Sequence, residues 1–206
     1  AHILNAARRI SVSRDRLMDG NFEMNGLRPM LRLENSTICF VGFGNIARNL
    51  YRKMRAFFGH VVAVDPYITD RSMYPDVEFL ELHEALSRAD VVTMHLQLTP
   101  ATRGIIGEQE FQSMKPGVIF VNTARGGLVD EAALMRALDS GRISYCALDV
   151  LGTENFSESP LLHRENVILT PHISWCSEAA LAELQKKTAQ NVVETFLHGE
   201  PIYRAV

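Results

Sequence analysis

The sequence predicts an α/β domain of the Rossmann type, a doubly wound parallel sheet covered by helices on both faces. Three observations predict it. Short continuous apolar runs alternate with stretches of helical period along most of the chain. The first run ends in a Gly-x-Gly-x-x-Ala turn that opens a helix, and the next run ends in an acid. Right-handed crossovers between such parallel strands wind the sheet in both directions.

Residues 1–33 stand outside the alternation. Residues 1–17 read as one helix, and 19–33 as an irregular arm with Gly20, Gly26 and Pro29. Ile3, Leu4, Ile10, Leu17, Met18, Phe22, Met24, Leu27, Met30 and Leu31 give this segment more apolar surface than an appendage keeps in water. Another part of the protein or a second copy is expected to cover it. The dinucleotide-binding domain is then expected over 34–206.

Thr37–Val41 is the first strand. In the turn Gly42-Phe43-Gly44-Asn45-Ile46-Ala47, Gly42 permits the sharp exit from the strand. Gly44 lets a pyrophosphate approach the backbone, and Ala47 keeps the helix close to the sheet. The helix N-terminus offers free N–H groups and a positive dipole end to phosphates. A helical run to Phe57 leads to a second strand, 61–65. Asp65 ends it about 20 residues past the glycines, where a carboxylate accepts both hydroxyls of an adenosine ribose. The same charge opposes a 2′-phosphate. The next residues, Pro66, Tyr67 and Ile68, include no Arg, and Arg71 falls in an expected loop, so NAD is favoured over NADP.

Further along, 82–87 reads as a helix, 91–96 as a strand, 108–114 as a short helix and Val118–Asn122 as a strand. A helix over 130–138, a strand over 144–150, a short strand Val167–Leu169 and a long helix over 177–197 complete the pattern. Gly199 and Pro201 stop the last helix.

Composition narrows the function classes. A net charge of −3 and 47% hydrophobic residues describe an ordinary soluble globular protein. Arg8-Arg9 and Lys186-Lys187 are short pairs, so nucleic acid is not an expected partner. No apolar run approaches the roughly 20 residues that span a bilayer, and no membrane association is expected. Cys39, Cys146 and Cys176 lack ligand spacing, so no metal is expected. Unpaired thiols suit a reducing cytoplasm.

Open parallel sheets bind ligands at the carboxyl ends of their strands. Asn122-Thr123-Ala124-Arg125-Gly126-Gly127 follows one strand, Asp149 ends the next with Glu154 five residues on, and Thr170-Pro171-His172-Ile173-Ser174-Trp175 follows the last. An Arg can fork onto a substrate carboxylate. A His can move a proton, and a Glu beside it can orient the ring and stabilise its charged form. His95 ends a strand on the cofactor side and is read as shaping that pocket. His2, His60, His83, His163 and His198 have no such setting and are read as exposed or locally satisfied.

These residues resemble the NAD-dependent D-isomer-specific 2-hydroxyacid dehydrogenases. The glycine turn with Asp65, VNTARGGLVDE (121–131), ALDV (147–150) and LTPHISW (169–175) carry the resemblance in family order. HILN followed by Arg8-Arg9, DPYITD (65–70) and the Trp175-x-Ser-Glu ending look most like the branch of the carboxyl-terminal binding proteins, corepressors with a dehydrogenase fold. The resemblance implies that Arg125 binds the carboxylate and carbonyl of a 2-oxo acid, that His172 donates the proton and that Glu154 is its partner. It implies that Asp149 holds the nicotinamide carboxamide region, that Thr102 and the backbone from Leu96 line the cofactor, and that Trp175 walls the substrate pocket. The loop around Glu154 departs from the family's more acidic, Pro-rich form, and Glu154 itself disfavours the formate dehydrogenase branch, which carries Gln there. The family's substrate domain, roughly 100 residues long, is not matched, and residues 1–17 correspond to the helix that crosses between the two domains.

The expectation is therefore the NAD-binding domain of an oxidoreductase acting on 2-hydroxy and 2-oxo acids, cytoplasmic and homodimeric. The other reading is an NAD(H)-sensing, corepressor-like interaction module with residual activity.

Overall fold

The computed structural model describes residues 1–152 and 156–204. The chain divides into two compact units, Ala1–Pro171 and His172–Val206.

Seven strands among the described residues build the first unit: β1 (Thr37–Val41), β2 (His60–Val64), β3 (Val77–Phe79), β4 (Val91–Met94), β5 (Val118–Asn122), β6 (Ile143–Leu148) and β7 (Val167–Leu169). All pair in parallel, in the order β3-β2-β1-β4-β5-β6-β7. The winding direction reverses between β1 and β4, so the ligand crevice of an open sheet falls there.

Strand alternation sends successive side chains to opposite faces. Cys39, Val41, Val92, Met94, Phe120 and Leu148 pack on one face with Ala85 and Leu86 of α4 (Leu82–Arg88), Phe111 of α5 (Glu108–Ser113), and Ala133 and Leu134 of α6 (Glu131–Asp139). Ile38, Phe40, Ala63, Val91, Ile119 and Val121 pack on the other. Their partners are Ile3, Ala6 and Ala7 of α1 (His2–Arg8), and Ala47, Tyr51 and Met54 of α3 (Asn45–Met54). Both faces are buried, which is why the strands read as unbroken apolar runs. Truncating a filled centre such as Phe40 to Ala costs about 3–5 kcal/mol.

Two elements differ from the sequence reading. The first helix is broken: α1 ends at Arg8 and α2 runs Ile10–Met18, with Arg9 between them at φ 55°. Arg9 is buried, its guanidinium donates to the carbonyls of Pro29 and Ser144, and it lies 4.3 Å from the Tyr145 ring centroid. Those contacts hold a left-handed residue that helix propensity disfavours. The second difference is β3, a three-residue edge strand containing Glu78, too short to show a period. The helical run before β2 closes as a 3₁₀ turn, Arg55–Phe57.

The second unit carries α7 (Glu178–His198). The Ser177 hydroxyl accepts from the Ala180 N–H at 3.1 Å, and Gly199 at φ 81° stops the helix. Asn191 clasps the Tyr203 backbone through two hydrogen bonds of 2.7 and 2.8 Å. Among the described residues, no helix is long and apolar enough to cross a membrane.

Candidate active site

The glycine turn is built as its residue types require. Gly42 has φ 89°, and a Cβ there would stand 2.9 Å from the His95 carbonyl carbon and the Leu96 side chain. Gly44 is the N-cap of α3, and a Cβ there would meet nothing within 4 Å. The space over Gly44 is open, and no side chain caps the first turn of α3, which Asn45 and Ile46 begin. That is a cradle for a pyrophosphate. Phe43 can contribute only its backbone: its ring is buried against Phe40, Tyr51, Tyr74 and Phe79.

Asp65 follows β2. One carboxylate oxygen accepts from the Phe43 N–H at 2.8 Å, the other from the Tyr67 N–H at 3.0 Å. Both bonds orient the group, and each oxygen keeps acceptor capacity for a ribose hydroxyl. Beside it opens a cavity of about 530 Å³ whose walls include Asp65, Tyr67, Arg71, Leu96, Ala101 and Thr102. Thr102 staples the 97–102 loop, its hydroxyl donating to the Gln97 carbonyl at 2.6 Å and accepting from the Thr99 N–H at 2.8 Å. A cleft of about 650 Å³ around His60, Asp76 and Arg88 lies at the amino-terminal end of β1 and β2, where parallel sheets do not place ligands.

His95 leads out of β4. It stacks on Phe40, with ring centroids 5.8 Å apart, and its Nε2 lies 3.0 Å from the Thr93 hydroxyl. Burial pulls its pKa down to about 4. It is a neutral brace behind Gly42 at physiological pH.

Arg125 follows β5 in a loop fixed by Asn122. The buried Asn122 amide accepts from the Ala124 N–H at 3.0 Å and donates to the Arg125 carbonyl at 2.9 Å. Thr123 and Ala124 are half-buried between them. Gly126 is obligatory, since a Cβ there would fall 1.9 Å from the Leu151 carbonyl. The Glu131 carboxylate accepts from the Gly152 N–H at 2.5 Å and so fixes the chain just before residue 153. Glu154 itself lies outside the described residues.

Asp149 is fully buried after β6 and accepts from the Thr170 hydroxyl, whose oxygen is 3.2 Å from His2 Nε2. From its position in the sequence His2 is expected to be exposed or locally satisfied. It is half-buried and joined to a residue 168 positions away. Burial lowers its pKa, with the Asp149 charge pulling the other way. His172 and Trp175 belong to the second unit. His172 adopts φ 54°, a conformation uncommon outside glycine and concentrated at functional sites.

The glycine cradle, the oriented Asp65 and the adjoining cavity define a dinucleotide-binding Rossmann domain. Residues 1–174 match the family model of the D-isomer specific 2-hydroxyacid dehydrogenase, NAD binding domain, and the chain belongs to that family. It is 41% identical over 174 residues to D-3-phosphoglycerate dehydrogenase of Mycobacterium tuberculosis, covering 82% of this chain and 32% of the relative. It is 35% identical over 175 residues to hydroxypyruvate reductase of Blautia hydrogenotrophica, covering 84% and 54%. The fold is similar to D-lactate dehydrogenase with NAD+ from Lactobacillus jensenii, with a TM-score of 0.87 and 26% identity over 100% of this chain and 66% of that one. The chain thus spans about a third to about half the length of these curated relatives.

Proposed function

We propose that this NAD-binding domain serves a dehydrogenase that interconverts D-2-hydroxy acids and 2-oxo acids. The observation that carries the reading is the sharing of one sheet end: the glycine turn, Asp65 and the Arg125 loop all follow the carboxyl ends of parallel strands in one unit. Bound NAD(H) supplies hydride exchange at C2 of the acid. Arg125 holds the substrate carboxylate and polarises the carbonyl. His172 gives or takes the proton on the C2 oxygen, with Glu154 orienting its ring. Asp149, Asn122, Thr123 and Ala124 frame the nicotinamide side, while Gly42, Phe43, Gly44, Asn45, Ile46, Asp65, Leu96 and Thr102 serve the adenosine and pyrophosphate. Trp175 walls the substrate pocket.

The motif likeness to the carboxyl-terminal binding protein branch supports a finer placement through HILN, DPYITD and Trp175. The relatives named above are dehydrogenases and reductases, which favours catalysis over a purely sensing module. Residues 1–33 act in this reading as a crossover helix and dimerisation arm before the domain at 34–206. Three free cysteines, two of them buried, suit a reducing cytoplasm.

The test is a panel of 2-oxo acids with NADH, using a protein that joins this chain to a substrate domain. Turnover lost on His172→Ala is expected. NADH binding without turnover on any acid would favour the sensing module.

A further inference from the structure

We propose that His2, at the start of α1, is a positioning residue for the nicotinamide end of the cofactor. It acts through Thr170 on the Asp149 carboxylate, and so ties α1 to that end of the site. The proposal rests on the placement of Asp149 beside the nicotinamide given above.

Strand order separates the two ends of the dinucleotide, which lies across the crevice where the order reverses. Asp65 follows β2 on one side of that reversal, and Asp149 follows β6 on the other. The Asp149 N–H donates to the Asn122 carbonyl at 3.0 Å, which joins Asp149 to the loop that carries Arg125. The Thr170 hydroxyl donates to the Asp149 carboxylate. A hydroxyl has one proton to give, so its oxygen meets His2 Nε2, 3.2 Å away, as an acceptor. The bonds therefore run one way, from imidazole to hydroxyl to carboxylate. A His2 without its Nε2–H would draw the Thr170 proton toward itself and away from Asp149. Asp149 is fully buried, and His2 and Thr170 are half-buried, so water does not readily replace these bonds. Ile3, Ala6 and Ala7 hold α1 on the sheet. The apolar contacts of the helix are thus made without the imidazole. All three members of the relay lie in the first unit.

Calorimetry on this chain with NADH and with ADP-ribose tests the proposal. ADP-ribose keeps the adenosine and pyrophosphate and lacks the nicotinamide, so it also reports whether a variant has folded. His2→Leu removes the donor and should weaken NADH roughly fivefold, the scale of one hydrogen bond. ADP-ribose affinity should stay within about twofold. His2→Gln, which keeps an N–H at similar reach, should restore most of the NADH affinity. Thr170→Val removes the hydroxyl and should cost at least as much as His2→Leu, and adding His2→Leu to it should cost nothing further. The proposal fails if His2→Leu weakens NADH and ADP-ribose alike, because His2 would then only hold α1 on the sheet. It also fails if His2→Leu leaves both affinities unchanged. If the native chain binds NADH no more tightly than ADP-ribose, the placement of Asp149 beside the nicotinamide fails, and the proposal falls with it.

Discussion

Asn122 holds Arg125 by its main chain and leaves the guanidinium outside that grip. The Asn122 amide donates to the Arg125 carbonyl and accepts from the Ala124 N–H, while the Arg125 Nη1–H donates to the Ala124 carbonyl at 2.7 Å. Asn122 is 1% exposed, so no water can replace the lost bonds cheaply. Asn122→Ala should cost about 1–3 kcal/mol, the penalty for stranding buried polar groups. Urea unfolding would read this as a lower midpoint with an unchanged slope. In a protein carrying a substrate domain, KM for the 2-oxo acid should rise more than the Kd for NADH, because the loop that aims Arg125 has loosened. A variant with normal stability and normal KM would show that the amide does not set this loop.

His95 links stability to pH. It titrates near 6.5 when unfolded and at about 4 when buried. Between those values the unfolded chain holds the extra proton, so the contribution is fully present above 6.5 and is lost as pH falls toward 4. From pH 7 to pH 5 the loss should be roughly 2 kcal/mol. His2 shifts in the same direction, so the native chain alone does not isolate the effect. His95→Gln should flatten the pH dependence of the urea midpoint while leaving some slope from His2. An unchanged slope in that variant would mean His95 is not desolvated in solution.

What the sequence revealed follows from how local each feature is. The β1–turn–α3–β2 unit was legible because the strand, the glycines and Asp65 are specified within about 30 residues, the span of one such unit. The doubly wound sheet was legible because burial on both faces leaves continuous apolar runs. The break at Arg9 was hidden because its cause lies at Ser144 and Tyr145, more than 130 residues away in the chain. The His2–Thr170–Asp149 cluster was hidden for the same reason. Arg71 reads from the sequence only as a loop residue, since spacing does not tell that a loop folds back over a cavity. Gly126 and Glu131 stood inside a quoted motif, but only the close approach to Leu151 and Gly152 shows what they hold.

The arm carries a prediction about association. Met18, Phe22 and Met24 are 71%, 83% and 67% exposed, and Ile10 and Leu17 lie open beside them. A second copy related by a two-fold axis would cover this surface with the same surface of its own. Light scattering should give a dimer at micromolar concentration, and Phe22→Ser with Met24→Ser should shift it toward monomer. A native chain that stays monomeric under those conditions would leave the arm to some other partner.

The last prediction separates cofactor binding from catalysis. The cavity, the cradle and Asp65 all lie within the first unit, so this chain should bind NADH unaided. Closure of a second domain expels water and aligns the substrate, and both effects contribute heavily to rate. The chain alone should therefore reduce 2-oxo acids far more slowly than a protein that also carries a substrate domain. In that larger protein, His172→Ala should lower kcat by roughly two to four orders of magnitude, the usual scale for losing a general acid. NADH affinity should hardly change. Arg125→Ala should raise KM strongly and also lower kcat, because the guanidinium holds the substrate in the ground state and polarises its carbonyl in the transition state. The two variants thus leave different kinetic signatures, readable in one set of initial-rate measurements across substrate concentration. Near-normal kcat in His172→Ala would remove the proton-transfer role and with it the dehydrogenase reading of these residues. The fold and its NAD site would stand, and sensing of NAD(H) would become the better account of what they do.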